Sequence, residues 1–178
     1  LTKLRQQGLL DHAPYGAVSL TALGRDYAVT MVRRHRLIET FLVQMLGYRW
    51  DQVHDEAEQL EHAVSDFMVA RIDELLDHPT RDPHGDPIPT AEGTISIPQA
   101  VSLAEVSDAG QVIVERIADD DSELLQYFSD HGIIVGAHLA VSAGDPFSDT
   151  VEVRTEHSPK LLRLGSRATE AVWVSPAS

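Results

Sequence analysis

The sequence contains no cysteine, and this absence excludes several kinds of chemistry at once. Disulfide bonds, thiolate metal ligands and cysteine nucleophiles all need the side chain that is missing. Any metal site in this protein must therefore be built from histidine imidazoles, carboxylates, backbone carbonyl groups or water.

Long apolar runs are missing as well. No stretch reaches the roughly 18 apolar residues of a membrane-spanning helix, and no charged-then-apolar segment opens the chain as a secretion signal would. We therefore expect a soluble, cytoplasmic protein without a membrane partner. Its 178 residues, 43% of them hydrophobic, are enough for one domain or two small ones with a real core.

Basic residues are scarce and unevenly placed. The chain has 14 lysines and arginines against 28 aspartates and glutamates, and its net charge of −14 argues against general binding to nucleic acid. The first 36 residues differ, because they carry six basic and only two acidic side chains. A basic end on an acidic body predicts that only the N-terminal region meets phosphate groups.

Helical patterns fill the first half of the chain. A helix is predicted to stop at Gly8, and Pro14-Tyr15-Gly16 predicts the turn of a small hairpin, which is how a winged helix-turn-helix unit ends. Thr21 is predicted to cap the next helix. The predicted helical segments are residues 1–8, 21–47, 51–68 and 69–78.

The second half of the chain has a different pattern. Residues 79–98 contain five prolines and two glycines, a density that predicts a linker or an ordered connection. Beyond it, short β-branched runs separated by Gly, Asp and Pro predict a small barrel, with one short helix capped by Ser122. The predicted strands are residues 101–106, 111–117, 138–143, 149–155 and 170–175.

Histidines and carboxylates are concentrated in the segment HDEAEQLEH. Positions i, i+3, i+4 and i+7 of a helix share one face, so this segment places four possible ligands together. These are His54, Glu58 and Glu61 on one stripe, with His62 beside it. The preceding helix carries His35 and Glu39 at the same spacing. One such pair is more often a solvated face, but two in consecutive helices favour a metal site between helices.

Two other functions remain open at this point. A metal-dependent hydrolase is one, because carboxylates and histidine can hold a water-activating metal. No nearby nucleophile, glycine-rich phosphate loop or HExxH spacing supports it. The other is a metal-independent interaction module. Metal-linked stabilisation without hydrolysis of common esters and phosphates would exclude both.

Four segments, in order and spacing, resemble the diphtheria toxin repressor family of metal-dependent transcription regulators: GLL…YGAVSLTALGR, RRHRLIETFL, VHDEAEQLEHAVSD and DPHGDPIP. The strand-rich tail resembles that family's SH3-like, FeoA-type domain. The resemblance implies an α+β chain with four parts. These are the end of a winged helix DNA-binding domain (1–24), a helical dimerisation and metal-binding domain (25–90), a linker (91–107) and an SH3-like β-barrel (108–178).

The resemblance also implies two metal sites. The ancillary site would take His35, Glu39, His54, Glu115 and Asp119, with Asp120 as the second choice for the last ligand. The primary site would take Glu58, Glu61 and His62, together with a ligand from a first N-terminal helix that this sequence does not contain. If the sequence is the whole chain, we expect an incomplete primary site and no reading of operator DNA. Lys3 and Arg5 are the expected DNA contacts.

The function implied by the resemblance is a homodimeric transcriptional repressor that controls metal-ion homeostasis and is not an enzyme. Glu58 occupies a position where the family's manganese regulators carry a carboxylate, so Mn²⁺ is the expected cofactor. Fe²⁺ is the alternative, and Co²⁺, Ni²⁺ or Zn²⁺ are expected surrogates. The apolar residues Phe67, Val69 and Ile72 are a possible dimer surface, with ordinary core packing about equally favoured.

Several other residues have two interpretations. Arg36 is expected either to pair with a carboxylate or anion near the ancillary site or to be a plain surface residue. Trp50 and Trp173 are expected in the core or at an interface. The histidines without a partner at helical spacing are expected at the surface or in local hydrogen bonds: His78, His84, His131, His138 and His157.

Overall fold

The computed structural model describes residues 2–12, 17–106, 109–144, 148–156 and 158–177. The predicted turn at Pro14-Tyr15-Gly16, and His157, lie outside these residues. Within them the chain is α+β, as predicted. Its helices are α1 (Thr2–Gln6), α2 (Ala22–Leu46), α3 (Val53–Glu61), α4 (Asp66–Leu75), α5 (Ser122–Asp130) and α6 (Ser166–Glu170). None of these described helices is long and apolar enough to cross a membrane.

The strands form two antiparallel sheets. They are β1 (Leu10–His12), β2 (Val18–Leu20), β3 (Val101–Ser102), β4 (Gly110–Ile117), β5 (His138–Ala143), β6 (Val151–Thr155), β7 (Ser158–Leu164) and β8 (Val172–Pro176). β1 and β2 make the predicted hairpin. The other six make one sheet in the order β3-β8-β4-β5-β6-β7. β7 is not among the predicted strands, and only the first two residues of the strand predicted at 101–106 form one.

The long helix α2 carries the N-terminal hairpin on its first turn. The Thr21 hydroxyl accepts a hydrogen bond from the Gly24 backbone N–H at 2.9 Å, which is the predicted helix cap. A Cβ on Gly24 would lie 2.0 Å from the carbonyl oxygen of Leu9. Glycine at this position therefore lets the hairpin backbone lie directly against the helix.

The helices that follow α2 are divided differently from the prediction. The predicted boundary at residues 68 and 69 is wrong, because α3 ends at Glu61 and α4 begins after Ser65. The Ser65 side chain accepts a hydrogen bond from the Met68 backbone N–H and so caps α4. On α4, Ile72 is only 4% exposed and packs with Leu37 in the core.

The β domain has its own core, which α5 closes. Leu125 and Phe128 of α5 are 2% and 0% exposed and pack among the buried side chains of the sheet. The N-cap of α5 is Asp121, whose carboxylate accepts a hydrogen bond from the Leu124 backbone N–H at 3.2 Å. The prediction that Ser122 caps this helix is therefore wrong by one residue.

The segment of residues 79–98 includes an ordered connection, in which six of the nine residues 81–89 are buried. Its DPHG turn packs against β4 of the β domain. The Ile117 backbone N–H donates to the carbonyl oxygen of His84 at 2.9 Å. Gly85 has φ +87°, and a Cβ there would lie 2.1 Å from the carbonyl oxygen of Glu115. The helical and β domains thus meet through backbone atoms with no space between them.

Candidate metal centre

Three donor atoms converge where α2 faces α3. His35 and Glu39 lie one turn apart on α2, and His54 lies in the first turn of α3. The His35 Nε2 atom is 3.0 Å from Glu39 Oε1 and 3.2 Å from His54 Nδ1. The third side of the triangle, from His54 Nδ1 to Glu39 Oε1, is 3.2 Å. The side chains that helical spacing picked out in the sequence, His35, Glu39 and His54, therefore meet in the structure.

This triangle has the dimensions of one face of a metal coordination shell. Two donors at 90° around a cation, each about 2.1 Å from it, lie about 3.0 Å apart. The observed edges are within a few tenths of an ångström of that value. The Glu39 carboxylate is 0% exposed, and a buried anion between two imidazoles suits a divalent cation. The residues present therefore fit a metal ion.

Asp119 brings the β domain to the same place. It lies in the loop after β4, and its Oδ2 atom is 3.4 Å from His54 Nδ1. One of its carboxylate oxygens also lies within 4.8 Å of donor atoms of Glu39 and His84. Asp120, the second choice from the sequence, lines a small neighbouring pocket of about 100 Å³.

Glu115 is held elsewhere. Its Oε2 atom is 2.6 Å from Arg81 Nη1, and its Oε1 atom accepts a hydrogen bond from the Ser175 hydroxyl at 2.6 Å. These two contacts, Ser175 first and Arg81 second, hold the pKa of Glu115 below its ordinary value. Among the described residues, Glu115 is in neither of the donor groups that could hold a metal. The structure therefore does not bring Glu115 to His35, Glu39 and His54.

The residues of the second predicted site lie on the other side of His35. Its Nδ1 atom is 2.7 Å from Glu61 Oε2, and the other oxygen of Glu61 is 3.4 Å from His62 Nε2. Glu58 lines the same open cleft of about 340 Å³. Glu58 and Glu61 thus line one cleft, and His62, whose side chain is 71% exposed, lies next to Glu61. Lys3 and Arg5 lie apart from both sites, on the exposed helix α1.

Carboxylates determine the charge of His35. Burial by itself lowers the pKa of His35. Hydrogen bonds and charges from Glu39 and Glu61 together have a larger effect in the opposite direction, so the pKa rises from 6.5 to about 9. The metal-free imidazole is therefore protonated at neutral pH. A cation that takes its Nε2 atom must first displace a proton.

His84 is the residue that the sequence interpretation placed wrongly. It was expected at the surface or in a local hydrogen bond, but it is 0% exposed and bonds across 34 residues. Its Nε2 atom donates to the Trp50 carbonyl oxygen at 2.7 Å, which makes Nδ1 the acceptor nitrogen in the neutral imidazole. That Nδ1 atom is 3.9 Å from Glu39 Oε2. Helical spacing in the sequence does not reveal a histidine that reaches the site from a turn. The only local signal was its position between a proline and a glycine.

Charged and ionisable side chains lie around the buried carboxylate of Glu39. Arg36 donates to Asp86 Oδ1 at 3.1 Å and to the Pro87 carbonyl at 2.6 Å, the first of its two expected roles. Asp82 is also buried, and burial together with the nearby charges of Glu39 and Asp86 raises its pKa to about 8. At neutral pH the Asp82 carboxyl is therefore mostly protonated, which keeps another negative charge away from the buried Glu39 carboxylate.

The remaining side chains with two interpretations have ordinary surroundings. His78 bonds to Asp73 at 2.8 Å, and His131 bonds to the Tyr127 carbonyl of its own helix at 2.8 Å. Trp50 packs against the core of the β domain. The Trp173 ring lies under the Arg116 guanidinium at 4.0 Å. His138 is a partly buried residue of β5.

Comparison with known proteins identifies two families of domains in this chain. Residues 21–90 match the model of the iron-dependent repressor metal binding and dimerisation domain. Residues 101–176 match the FeoA domain. The metal donors of α2 and α3 lie within the first match, and Asp119 lies within the second.

Three known proteins are similar to most of this chain. The diphtheria toxin repressor of Corynebacterium efficiens is 38% identical over 98% of this chain and 78% of its own length. The iron-dependent repressor IdeR of Mycobacterium leprae is 31% identical over 79% of this chain, which spans 66% of that protein's length. A solved manganese-dependent transcriptional repressor in complex with manganese has a TM-score of 0.90 and 50% identity, covering 99% of this chain and 81% of that one.

Proposed function

The chain belongs to the diphtheria toxin repressor family of metal-dependent transcriptional regulators, and from that premise we propose that it is the metal-sensing part of a repressor. The observation that carries the proposal is the triangle of donors at 3.0 to 3.2 Å formed by His35, Glu39 and His54. Its relatives named above are repressors and not hydrolases, so the hydrolase alternative has no support. A repressor of this kind would act in the cytoplasm, on operator DNA.

Mn²⁺ is the proposed effector. The donors are imidazole nitrogens and carboxylate oxygens, and the chain has no thiolate to favour softer metals. The solved repressor described above is in complex with manganese, whereas the Mycobacterium leprae relative is named for iron, so Fe²⁺ is the alternative. Co²⁺, Ni²⁺ and Zn²⁺ bind such donor sets more tightly than Mn²⁺ in general and would serve as surrogates in binding experiments.

The proposed ancillary site consists of His35, Glu39, His54 and Asp119. Three of these side chains belong to the helical domain and the fourth to the β domain, so a bound cation would join the two. A cation that binds only this arrangement stabilises it by about 2.7 kcal/mol at a hundredfold excess over Kd. Glu115 supports the arrangement from outside, through Arg81. Glu58, Glu61 and His62 form the proposed primary site.

Assembly into a homodimer follows from the family and from exposed apolar side chains on α4. Phe67 is 77% exposed, Met68 47% and Leu75 58%, whereas Ile72 is part of the core and is removed from the predicted surface. A two-fold dimer reads two half-sites of palindromic DNA. Lys3 and Arg5 on α1 are proposed to contact the DNA phosphates.

The function is tested with the full-length protein in its natural form. Fluorescence anisotropy with promoter fragments from its own genome, with Mn²⁺ and with excess chelator, should show tight binding only when metal is present. Esterase and phosphatase assays on the same preparation serve as the control for the alternative. Equal DNA binding in chelator, or metal-dependent hydrolysis in place of DNA binding, would refute the proposal.

The dimer surface leads to a specific expectation. Replacing Phe67 by Asp puts a charge on an exposed apolar position without touching the core, so the dimer should dissociate at least tenfold more readily while the monomer stays folded. The matched control is Asp55→Asn on α3, which changes one exposed charge away from α4. Sedimentation equilibrium measures both variants. If the Phe67→Asp variant dimerises as tightly as the wild type, α4 is not part of the interface.

The pKa of His35 predicts how Mn²⁺ binding depends on pH. In the metal-free chain the protonated imidazole contributes stability that is fully present below pH 6.5 and is lost as the pH rises through about 9. Mn²⁺ competes with that proton, so its apparent affinity should rise by about tenfold for each pH unit between roughly 7 and 9. Calorimetric titration in buffers of different ionisation enthalpy should show about one proton released from His35 per chain when Mn²⁺ fills the ancillary site at pH 7. Binding with no proton release would contradict the protonated His35.

A further inference from the structure

A pair of buried acceptor atoms faces each other behind the proposed ancillary site. Glu39 Oε2 and His84 Nδ1 are 3.9 Å apart, and neither has a hydrogen-bond partner among the described residues. Both side chains are 0% exposed. Leaving a buried acceptor unpaired costs about 1–3 kcal/mol. Two such atoms pointing at each other therefore indicate that something electropositive belongs between them.

The third side chain at this place is also an acceptor. Donor atoms of Glu39, His84 and Asp119 all lie within 4.8 Å of one another. With Nε2 donating to the Trp50 carbonyl, the neutral imidazole presents its lone pair at Nδ1, and the two carboxylates are acceptors when ionised. One water molecule has only two protons and cannot donate to three acceptors. A divalent cation satisfies all three.

Both donor groups contain Glu39, and the two oxygens of its carboxylate face different histidines. Oε1 lies in the triangle with His35 and His54, and Oε2 faces His84. A carboxylate whose two oxygens face different donors is placed to bridge a pair of metal ions. Asp119 stands at the boundary, since it lies 3.4 Å from His54 and also belongs to the group with His84.

We propose that this chain holds two divalent cations bridged by Glu39, the second one bound by Glu39 Oε2, His84 Nδ1 and Asp119. The proposal rests on the proposed function, because it adds a second ion to the ancillary site. The DPHG turn supplies His84, and the same turn packs on β4 through Ile117 and Gly85. The second cation therefore bonds to three separate segments: α2, the DPHG turn and the β domain.

The experiment counts Mn²⁺ ions and measures whether they are coupled. The full-length protein is saturated with Mn²⁺, freed of excess metal and examined by metal analysis and electron paramagnetic resonance. A carboxylate-bridged Mn²⁺ pair gives an exchange-coupled spectrum, whereas isolated Mn²⁺ gives six lines. The coupled spectrum is expected in the wild type and also in His62→Gln, which removes a ligand of the other proposed site.

His84→Gln is the variant that decides the proposal. Its amide can still donate to the Trp50 carbonyl, but it offers no imidazole lone pair to the second cation. It should lose one Mn²⁺ per chain and the coupled spectrum, and keep a six-line signal from the ion at His35. The matched control is His78→Gln, which replaces an exposed histidine and should equal the wild type in both measurements.

Each outcome has a definite meaning. A wild type whose bound Mn²⁺ ions are all isolated, or a His84→Gln protein with wild-type stoichiometry and spectrum, would overturn the second cation. In that case metal-dependent DNA binding would still support the proposed function. If the wild type binds neither Mn²⁺ nor DNA, both the second cation and the proposed function are refuted. If His84→Gln fails to fold by circular dichroism, Asp119→Asn, changed in a partly exposed loop, tests the proposal by loss of the coupled spectrum, because Asp119 is a proposed ligand of both cations.

Discussion

Replacing Glu39 by Gln is expected to abolish the stabilisation of the chain by Mn²⁺. Glu39 is the only residue that belongs to both groups of donors among the residues that the structure describes, and its amide analogue offers no anionic oxygen. For the wild type, a hundredfold excess of Mn²⁺ over Kd should stabilise the fold by about 2.7 kcal/mol. In a chain of this size that corresponds to a rise in Tm of roughly 5–11 °C.

The metal-free Glu39→Gln variant should melt below the wild type at neutral pH, because it loses the negative charge that pairs with protonated His35. The substitution keeps the shape of the side chain and removes a buried carboxylate oxygen that lacks a hydrogen-bond partner among the described residues. The matched control is Glu74→Gln, which removes an exposed carboxylate of α4 and should retain the full rise in Tm. Calorimetric melting curves of the three proteins, with Mn²⁺ and with chelator, make the comparison. A wild-type rise in Tm for Glu39→Gln would show that the cation binds elsewhere.

Replacing Gly85 by Ala is expected to separate the β domain from the helical domain. Gly85 has φ +87°, which costs an L-residue about 1–2 kcal/mol, and its new Cβ would lie 2.1 Å from the carbonyl oxygen of Glu115. The clash is with backbone, so the turn must leave β4. That movement breaks the hydrogen bond from Ile117 to the His84 carbonyl and takes Asp119 away from His54.

Gly93→Ala is the control that isolates this clash. Gly93 also has a positive φ of +83°, but a Cβ there would meet only a methyl group of Val29, at an ordinary 3.6 Å. Both variants therefore carry the same backbone strain, and only Gly85→Ala has the clash. We expect Gly85→Ala to melt in two transitions and to bind Mn²⁺ at least tenfold more weakly, with Gly93→Ala close to the wild type in both. Equal behaviour of the two variants would exclude the turn as the link between domains.

The helical part of the site was predictable because helices repeat. A spacing of four residues places His35 and Glu39 on one face of α2 whatever lies around them, and His54 falls on the facing helix. The same reasoning could not locate the break at Ser65, because the apolar pattern continues through it. The cap residue is the local signal that decides where α4 begins.

The parts of the site outside the helices depend on contacts that no period encodes. Glu115 was expected as a ligand, but the register of β4 against β8 shifts between Val114 and Arg116, as it does at a β-bulge. A bulge changes the direction of the strand and of its side chains. Asp119 follows the strand and was predicted from the family resemblance. His84 comes to the site only because its turn is buried between two domains.

The central claim is that a cation joins the helical domain to the β domain. Anomalous diffraction at the manganese absorption edge, from crystals of the full-length protein grown with Mn²⁺, tests it most directly. An anomalous peak is expected about 2.0–2.3 Å from His35 Nε2, His54 Nδ1 and a carboxylate oxygen of both Glu39 and Asp119. A peak bound by α2 and α3 alone, with Asp119 beyond coordination distance, would contradict it.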